Sequence, residues 1–173
     1  MLINGVQTMS VKWKIEKNKF PEMQANLKVM SGKKVQVGCK GENAWLAEIH
    51  EYGCKIEITS KMRALLHSHN LHIKNSTKYI NIPERSFLRN GFDSVHEKIL
   101  DNASRILSLV LEGQFKADTF LNMLGLGLAT EIKKYAIDLK APANHPFTIE
   151  NKGSTNPLVD SGNLVDSIKH SIE

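Results

Sequence analysis

FDSVHEKILDNASRILSLVLEGQFKADTFLNMLGLGLATEIKKYAIDLK, residues 92–140, decides the fold of this chain. From Phe92 to Val110 apolar residues recur every three or four positions, and the same spacing returns from Leu121 to Leu139 after a polar break. That period is typical of α-helices with one apolar face. The stretch therefore predicts two helices of about twenty residues each that pack antiparallel across a short turn.

Two glycines, Gly125 and Gly127, lie inside the second predicted helix. Glycine costs about 1 kcal/mol relative to alanine in a helix interior, because the helix then fixes a more flexible backbone. We therefore expect another backbone to approach the helix closely at this point, or the helix to kink.

Short stretches in which apolar and polar residues alternate come before the hairpin, and this period is typical of β-strands. The predicted strands are VKWKIEK (11–17), KKVQVGCK (33–40), KIEIT (55–59) and KYINIPE (78–84). Pro83 ends the last strand because it has no N–H for a sheet ladder. The polar, histidine-rich stretch between the last two strands predicts a long excursion with a helical turn at 62–66.

Two short helices are predicted among these strands. FPEMQANLKVM, residues 20–30, has Pro21 in its first turn and a predicted buried stripe of Met23, Leu27 and Met30. ENAWLAEIHEYG, residues 42–53, predicts a second helix that Gly53 ends in a left-handed conformation. The residues predicted to face inward from the second helix are Ala44 or Trp45, Ile49 and Tyr52.

Strands in the first half followed by long helices favour an α+β fold. We expect a small, mostly antiparallel sheet of short strands packed by helices, with a long antiparallel helix pair in the second half. The chain is expected to form one domain over residues 1–173, with a flexible segment at 1–10 and the helical hairpin at 92–140. Residues 141–160, rich in Pro, Gly and Asn, are expected to form an exposed loop.

Composition excludes several classes of protein. The 173 residues include 41% hydrophobic and 24% charged residues, which is ordinary for a globular domain. We expect a cytoplasmic protein without a membrane span, because no apolar run approaches the required length of about 20 residues and two cysteines make no disulfide framework. The net charge of +5 keeps a basic nucleic-acid-binding module as an alternative, although the basic residues are scattered.

The tripeptide Asp160-Ser161-Gly162 has the form of the catalytic turn of an aspartic protease. Only eleven residues follow Gly162, however, and they have helical spacing. The interpretation we favour is a helix N-terminus with Asp160 or Ser161 as its cap. The residues predicted to share the apolar face of that helix are Leu164, Val165, Ile168 and Ile172.

A small hydrolase, either metal-dependent or like an aspartic protease, is a further alternative. Its functional groups would be Asp160, or His50 and the histidines of the loop between the last two strands. His50-Glu51 begins a motif like that of zinc proteases, but the fifth position is Cys54, beyond the end of the helix. The weak candidates for metal ligands are His67, His69 and His72. No nucleotide-binding or nucleophile motif occurs, so neither a cofactor nor a catalytic residue is predicted.

Three segments occur in a fixed order: AEIHEYG (47–53), INIPERSFLR (80–89) and NPLVDSGNLVDSI (156–168). Together with the helical pair between the second and third, they resemble the virion-morphogenesis proteins of tailed bacteriophages and prophages. Those proteins are also described as tail-completion or neck proteins of the head–tail connector. The resemblance covers the chain from about residue 33 onward.

The resemblance implies a structural protein of the virion and not an enzyme. Expected partners are other virion proteins: the portal or connector adaptor, the tail terminator or the tail tube. Copies are expected to form a ring at the head–tail junction or tail, where DNA is contacted only non-specifically, after assembly in the host bacterial cytoplasm. The family-motif residues expected to serve folding or assembly are His50, Glu51, Gly53, Pro83, Arg85, Phe87, Arg89, Asp160 and Gly162.

Two points follow from these motifs. Arg85 and Arg89 are suited to carboxylates, either within the chain or on a neighbouring subunit. In the family, the Asp-Ser/Thr-Gly turn begins a short helix that is usually followed by a final strand. Since helical spacing here continues almost to Glu173, we expect that strand to be absent or to lie beyond the sequence.

Overall fold

The computed structural model describes residues 18–173 and has an α+β fold. The helices are α1 (Phe20–Met30), α2 (Ala44–Tyr52), α3 (Ser60–Ser68), α4 (Phe87–Leu111), α5 (Ala117–Asp138), α6 (Pro146–Lys152) and α7 (Asn163–Asp166). The strands are β1 (Val35–Cys39), β2 (Cys54–Glu57), β3 (Tyr79–Ile82) and β4 (Ile168–Ile172). The predicted strand at 11–17 and the segment 1–10 lie outside the described residues.

The predicted helical hairpin is confirmed. Helices α4 and α5 pack antiparallel along their lengths, and α4 begins at Phe87, earlier than the periodicity at Phe92 indicates. Phe87 is fully buried and starts the buried side of the helix. None of the helices among residues 18–173 is long and apolar enough to cross a membrane.

The C-terminal segment differs from the sequence-based expectation. Helix α7 has one turn, and Ile168–Ile172 forms strand β4, antiparallel to β1, with Val35 opposite Ile172 and Cys39 opposite Ile168. The expected helical face through Ile172 and the expected absence of a final strand are therefore wrong. Residues 168–172 form a strand because two contributions outweigh the helical preference of their spacing. These are the hydrogen bonds with β1 and the burial of Ile168, which is 1% exposed.

The β1–β4 sheet lies on α5, which explains one of the two helical glycines. A Cβ on Gly125 would stand 2.6 Å from the His170 ring, so glycine admits a side chain of β4 there. The expected close approach is thus made by a side chain and not by a backbone. At Gly127 the nearest atom, Ile99 Cδ1, is 3.8 Å from the corresponding position.

The core lies between α5, the β1–β4 sheet and the segments that surround α7. Phe87, Leu158 and Ile168 belong to this apolar cluster, together with alanines of α2 and α5. Leu158 shows that the predicted exposed loop at 141–160 is wrong in part, since it contains helix α6 and this buried side chain.

Two predicted helix faces need correction. Helix α1 has no fully buried residue, and Leu27 of its predicted stripe is 45% exposed. In α2 the buried residues are Ala47 and Glu51, whereas Trp45 and Tyr52 are 63% and 62% exposed. The inward side of α2 is set by a charged residue, which an apolar pattern does not reveal.

Strands β2 and β3 pair antiparallel and, with α3 between them, form a projecting hairpin of residues 54–82, here called the arm. No residue of α3 is buried. The arm is held internally by Arg63, whose guanidinium donates to the carbonyls of Ile73, Lys74 and Thr77 at 2.8–3.1 Å. The excursion between the two strands is thus an ordered helix and turn.

Candidate assembly site

Glu51, in the last turn of α2, is the centre of the candidate site. It is 3% exposed, and its carboxylate accepts the backbone N–H groups of Leu88 and Arg89 at 2.9 and 3.0 Å. These N–H groups belong to the first turn of α4 and have no partner within the helix. A carboxylate at this position also complements the positive end of the helix dipole. Glu51 therefore fixes the start of the long hairpin to α2.

Arg89 completes this contact from the α4 side. Its Nε donates to Glu51 Oε1 at 3.0 Å and its Nη2 to Glu84 Oε1 at 2.8 Å, while the guanidinium lies over the Tyr52 ring. The hydrogen bond with Glu51 raises the pKa of Arg89. Ser86, and then Arg89, lower the pKa of the Glu84 carboxyl. The ion pair of Arg89 is thus made within the chain.

Arg85 has a different environment, since it is 4% exposed and contacts mainly carbonyl groups. It donates to Pro142 O at 2.8 Å, to Ala143 O at 3.2 Å and to Asn144 Oδ1 at 3.1 Å. Burial lowers the pKa of Arg85. Arg85 was expected to bind a carboxylate, but its acceptors are carbonyl and amide oxygens. Its hydrogen bonds connect the segment after α5 to the start of α4.

His50 lies on the other side of Arg85. Its Nδ1 is 3.4 Å from Arg85 Nη1 and so acts as the acceptor of that contact, which requires a neutral ring. Burial, followed by the positive charges of Arg85 and Lys152, lowers the pKa of His50 from 6.5 to about 4. His50 is therefore neutral near pH 7 and serves as a hydrogen-bond acceptor.

Gly53 and Pro83 form the base of the arm, where the chain leaves the body and returns to it. Gly53 has φ +72°, and a Cβ there would lie 2.9 Å from both Glu84 N and Ile82 O. Pro83 follows the last residue of β3, as predicted. One step further, the Arg85 N–H donates to His50 O at 2.7 Å. Only glycine permits the two chain segments to cross this closely.

The third motif, residues 156–168, packs against the other two motifs and supplies core residues. Leu164, Val165 and Ile168 share one apolar cluster with Ala47 and Phe87 of the other two motifs. All three motifs therefore meet in one place, which we call the motif cluster: residues 47–53, 80–89 and 156–168.

The predicted cap of α7 by Asp160 or Ser161 is wrong. The N-cap position is Gly162, with φ +88° and no side chain to cap the helix, and Asp160 is exposed. Lys152 lies close by, and its ammonium donates to the carbonyls of Asn156 and Val159. Burial lowers the pKa of Lys152, and the charge of Asp160 partly opposes that effect.

A cavity of about 370 Å³ joins the first and third motifs. His50, Lys152, Asp160 and Gly162 line it together with polar and apolar neighbours. Of the described residues that line it, Asp160 is the one carboxylate. Aspartic proteases use a pair of carboxylates that share a proton, so the cavity does not reproduce that chemistry.

The loop histidines lie on the arm, outside the motif cluster. The rings of His67 and His72 meet edge to face with centroids 4.3 Å apart, and His69 follows the end of α3. In the part of the chain from residue 18 onward, no three His, Cys, Asp or Glu side chains are close enough to hold a metal ion.

Sequence reasoning missed several residues of the cluster. Ser86 is 6% exposed and donates to Glu51 O at 3.1 Å, and its place just before α4 is the only local signal for it. Asn144 and Lys152 contact the cluster from the segment expected to be an exposed loop. Nothing in the local pattern distinguishes them from other polar loop residues.

The described surface carries large apolar side chains outside the cluster. Twelve of them are exposed there, and Tyr52 is a thirteenth within the cluster, whereas nine apolar residues larger than alanine form the buried core. The exposed ones include Phe92 and Leu100 on α4, Met123, Leu126 and Ile137 on α5, and Leu65 on α3. These side chains lie on several elements of the fold, with the long helices α4 and α5 carrying five of them.

Comparison of the chain with protein-family models, with curated proteins and with solved structures gives no match. The contacts of the motif cluster and the exposed apolar faces are therefore the basis for a functional proposal.

Proposed function

We propose that this chain is a non-enzymatic structural component of the head–tail connector of a tailed phage or prophage. In that role it acts in tail completion or at the neck, and joins head to tail as a ring of copies around the DNA channel. The observation that carries the proposal is that one chain combines two features. The motif cluster has its buried side-chain hydrogen-bonding groups satisfied within the chain, whereas the arm and apolar residues of the long helices are exposed. This arrangement suits a subunit that becomes complete by association.

The motif cluster supports a structural role for the motif residues. Glu51, Arg85 and Arg89 have their hydrogen-bonding groups directed at backbone and side-chain groups of the same chain. Catalytic groups, in contrast, must reach a substrate in a cleft. These residues instead hold the arm, the hairpin and the 141–160 segment in a fixed relation.

The exposed apolar residues support association. Leu100 and Leu126, each 61% exposed, lie on the two long helices, and Leu65 on the arm is 59% exposed. Burial of such side chains gives roughly 25 cal/mol per Å² of apolar area, which favours contacts with other protein surfaces. Partners with that chemistry are further copies of this chain, the portal or connector adaptor, and the tail terminator or tail tube.

The charge distribution fits the channel location. The arm has four Lys and one Arg against one Glu, so it carries most of the net charge of +5. Such a surface attracts DNA without reading its sequence. A sequence-specific nucleic-acid-binding module would need side chains directed at base edges, and we assign the arm no such role.

Native mass spectrometry and electron microscopy test the proposal. The protein is measured alone and with portal and tail-tube proteins from the same phage or prophage genome, and we expect a closed ring in the presence of at least one of them. Serum albumin replaces the partner proteins as a control for non-specific association. A protein that stays monomeric and ignores both partners at micromolar concentration would refute the proposal.

A further inference from the structure

We propose that α3, on the arm of one copy, docks against the exposed face of α4 in the next copy. The acceptor face consists of Phe92, His96 and Leu100 and of the cavity beside them, and we call it the α4 face. Because this contact joins copies of the chain, it rests on the proposed function and specifies how its ring would be built.

The α4 face is apolar and unoccupied in the single copy. Phe92 and Leu100 are 45% and 61% exposed, and the Phe92 and His96 rings stack with centroids 5.6 Å apart. A cavity of about 450 Å³ opens beside Phe92. Apolar side chains of β1, α4 and α5 line the cavity, and Arg89 and Asp93 lie at it as well. The face thus offers both a flat apolar stripe and a recess for a side chain.

An acidic stripe borders the α4 face. Asp93, Glu97 and Asp101 recur every four residues, so they lie on one side of the helix, next to the apolar stripe. All three are exposed. Among the ion pairs found within residues 18–173, none includes these three carboxylates. The α4 face therefore suits a partner that is apolar and basic.

Helix α3 has that chemistry. Leu65 is 59% exposed, and Met62 and Leu66 are half-buried on the same short helix. Lys61 is exposed beside them, in an arm with five basic residues and one acidic residue. The apolar side chains and the positive charge of α3 complement the apolar stripe and the acidic border of α4.

Helix α3 is also preformed. The Thr59 hydroxyl accepts the Met62 N–H at 3.2 Å as a helix cap, and Arg63 holds the following turn through three carbonyls. Docking of an ordered helix costs less conformational entropy than docking of a segment that must fold on contact. At its base, the arm is fixed by the close approach of Gly53 to Glu84. Its direction from the body is therefore defined.

A second copy is the occupant because exposed Lys61 and Leu65 of α3 complement the acidic and apolar residues of the α4 face, and every copy carries both surfaces. A contact of this type is heterologous: its repetition gives a ring where the rotation between copies closes and an open filament where it does not, and the proposed function requires the closed form. The geometry of one contact then serves every subunit. A two-fold dimer, in contrast, would require a self-complementary patch.

Charge reversal tests the pairing. Lys61→Glu and Glu97→Lys change exposed residues outside the motif cluster, so both variants fold normally. We expect each to weaken self-association about 5- to 10-fold and the double variant to regain most of the wild-type affinity, because the charges are again opposite. Sedimentation velocity and native mass spectrometry measure the association, with the partner protein present if wild type requires it. Lys78→Glu, the same change on the arm but outside α3, is the matched control.

Cross-linking tests the geometry. Leu65→Cys and Leu100→Cys are made in separate preparations in which Cys39 and Cys54 are replaced by serine, and are then mixed with a short bis-maleimide. We expect the mixture to give a cross-linked pair, and each preparation alone to give none. A cross-link that forms only within one chain carrying both cysteines would overturn the proposal, because the arm would then dock on its own α4.

The outcomes separate this proposal from the proposed function. If wild type forms a ring but neither the charge variants nor the cross-link respond, this contact is refuted and the connector role stands. If Lys61→Glu abolishes DNA binding without changing the ring, the arm serves DNA and not a second copy, and the contact is again refuted. If wild type never assembles with any partner, both proposals fail.

Discussion

The arm and the body of this protein are held together in opposite ways. The body depends on contacts between distant parts of the sequence: the motif cluster joins residues 47–53, 80–89 and 156–168 around one core. The arm depends on neighbours, with β2 paired to β3 and Arg63 bonded to the turn that follows. The difference teaches that the free energy of unfolding depends mainly on contacts within the body, and that the arm is a preformed surface element attached to it.

The largest effect is expected from Phe87, which is 0% exposed in the core of the body. Phe87→Ala leaves a cavity and is expected to lower the free energy of unfolding by about 3–5 kcal/mol. Urea denaturation followed by circular dichroism measures the change. Phe92→Ala, at a position 45% exposed, is the control and should cost less than about 1 kcal/mol. Equal losses in the two variants would contradict this assignment of the core.

Glu51 is expected to come next. Glu51→Ala removes the acceptor for two N–H groups of α4 and for Arg89, and we expect a loss of about 2–3 kcal/mol in the free energy of unfolding. Glu48→Ala, at an exposed position on the same helix, is the matched control. If the two variants unfold at the same denaturant concentration, the link between α2 and α4 does not stabilise the body.

His50 makes the stability of the body depend on pH. Its pKa is about 4 in the folded protein and 6.5 when unperturbed. Between these values the unfolded chain binds more protons than the folded one, so stability falls as the pH falls from 6.5 to about 4. We expect His50 to account for about 2 kcal/mol of this fall. Denaturation at several pH values should show a shallower decline for His50→Gln; parallel curves would exclude the effect.

The smallest effect on global stability is expected in the arm. Arg63→Met removes the donors to Ile73, Lys74 and Thr77, so residues 54–82 should exchange amide hydrogens faster, by about tenfold or more. The free energy of unfolding of the whole domain should change by less than about 1 kcal/mol. Hydrogen exchange read by mass spectrometry reports both regions at once, with Lys61→Met as the control. Faster exchange in α4 and α5 as well would show that the arm is part of the core.

The sequence predicts those elements whose pattern is local. The period of 92–140 predicts the hairpin, and alternation predicts strands β1, β2 and β3, although not that β2 pairs with β3. The buried side of α2 is not predictable in this way, because Glu51 faces inward to meet the start of α4, a partner far along the sequence. Strand β4 was missed for a related reason, since residues 168–172 become a strand through their ladder with β1.

The candidate site divides in the same manner. The motif residues were identified from the resemblance of three segments, and the structure brings those segments together. Arg85 donates to the carbonyls of residues 142 and 143. These partners were not predicted, because the Pro and Gly content of their segment indicates an exposed loop. The surfaces proposed to meet on α3 and α4 were not predicted, because the exposure of Leu65 and Leu100 follows from the fold.

The pairing of β1 with β4 also constrains the order in which the molecule forms. Gln36 donates to Glu173 across 137 positions, so the central sheet closes only after nearly all of the described chain has been synthesised. Closure of so long a segment is slow, whereas the contacts of the arm lie within residues 54–82 and form early. On the ribosome, the arm is therefore expected to present α3 before the body has a core.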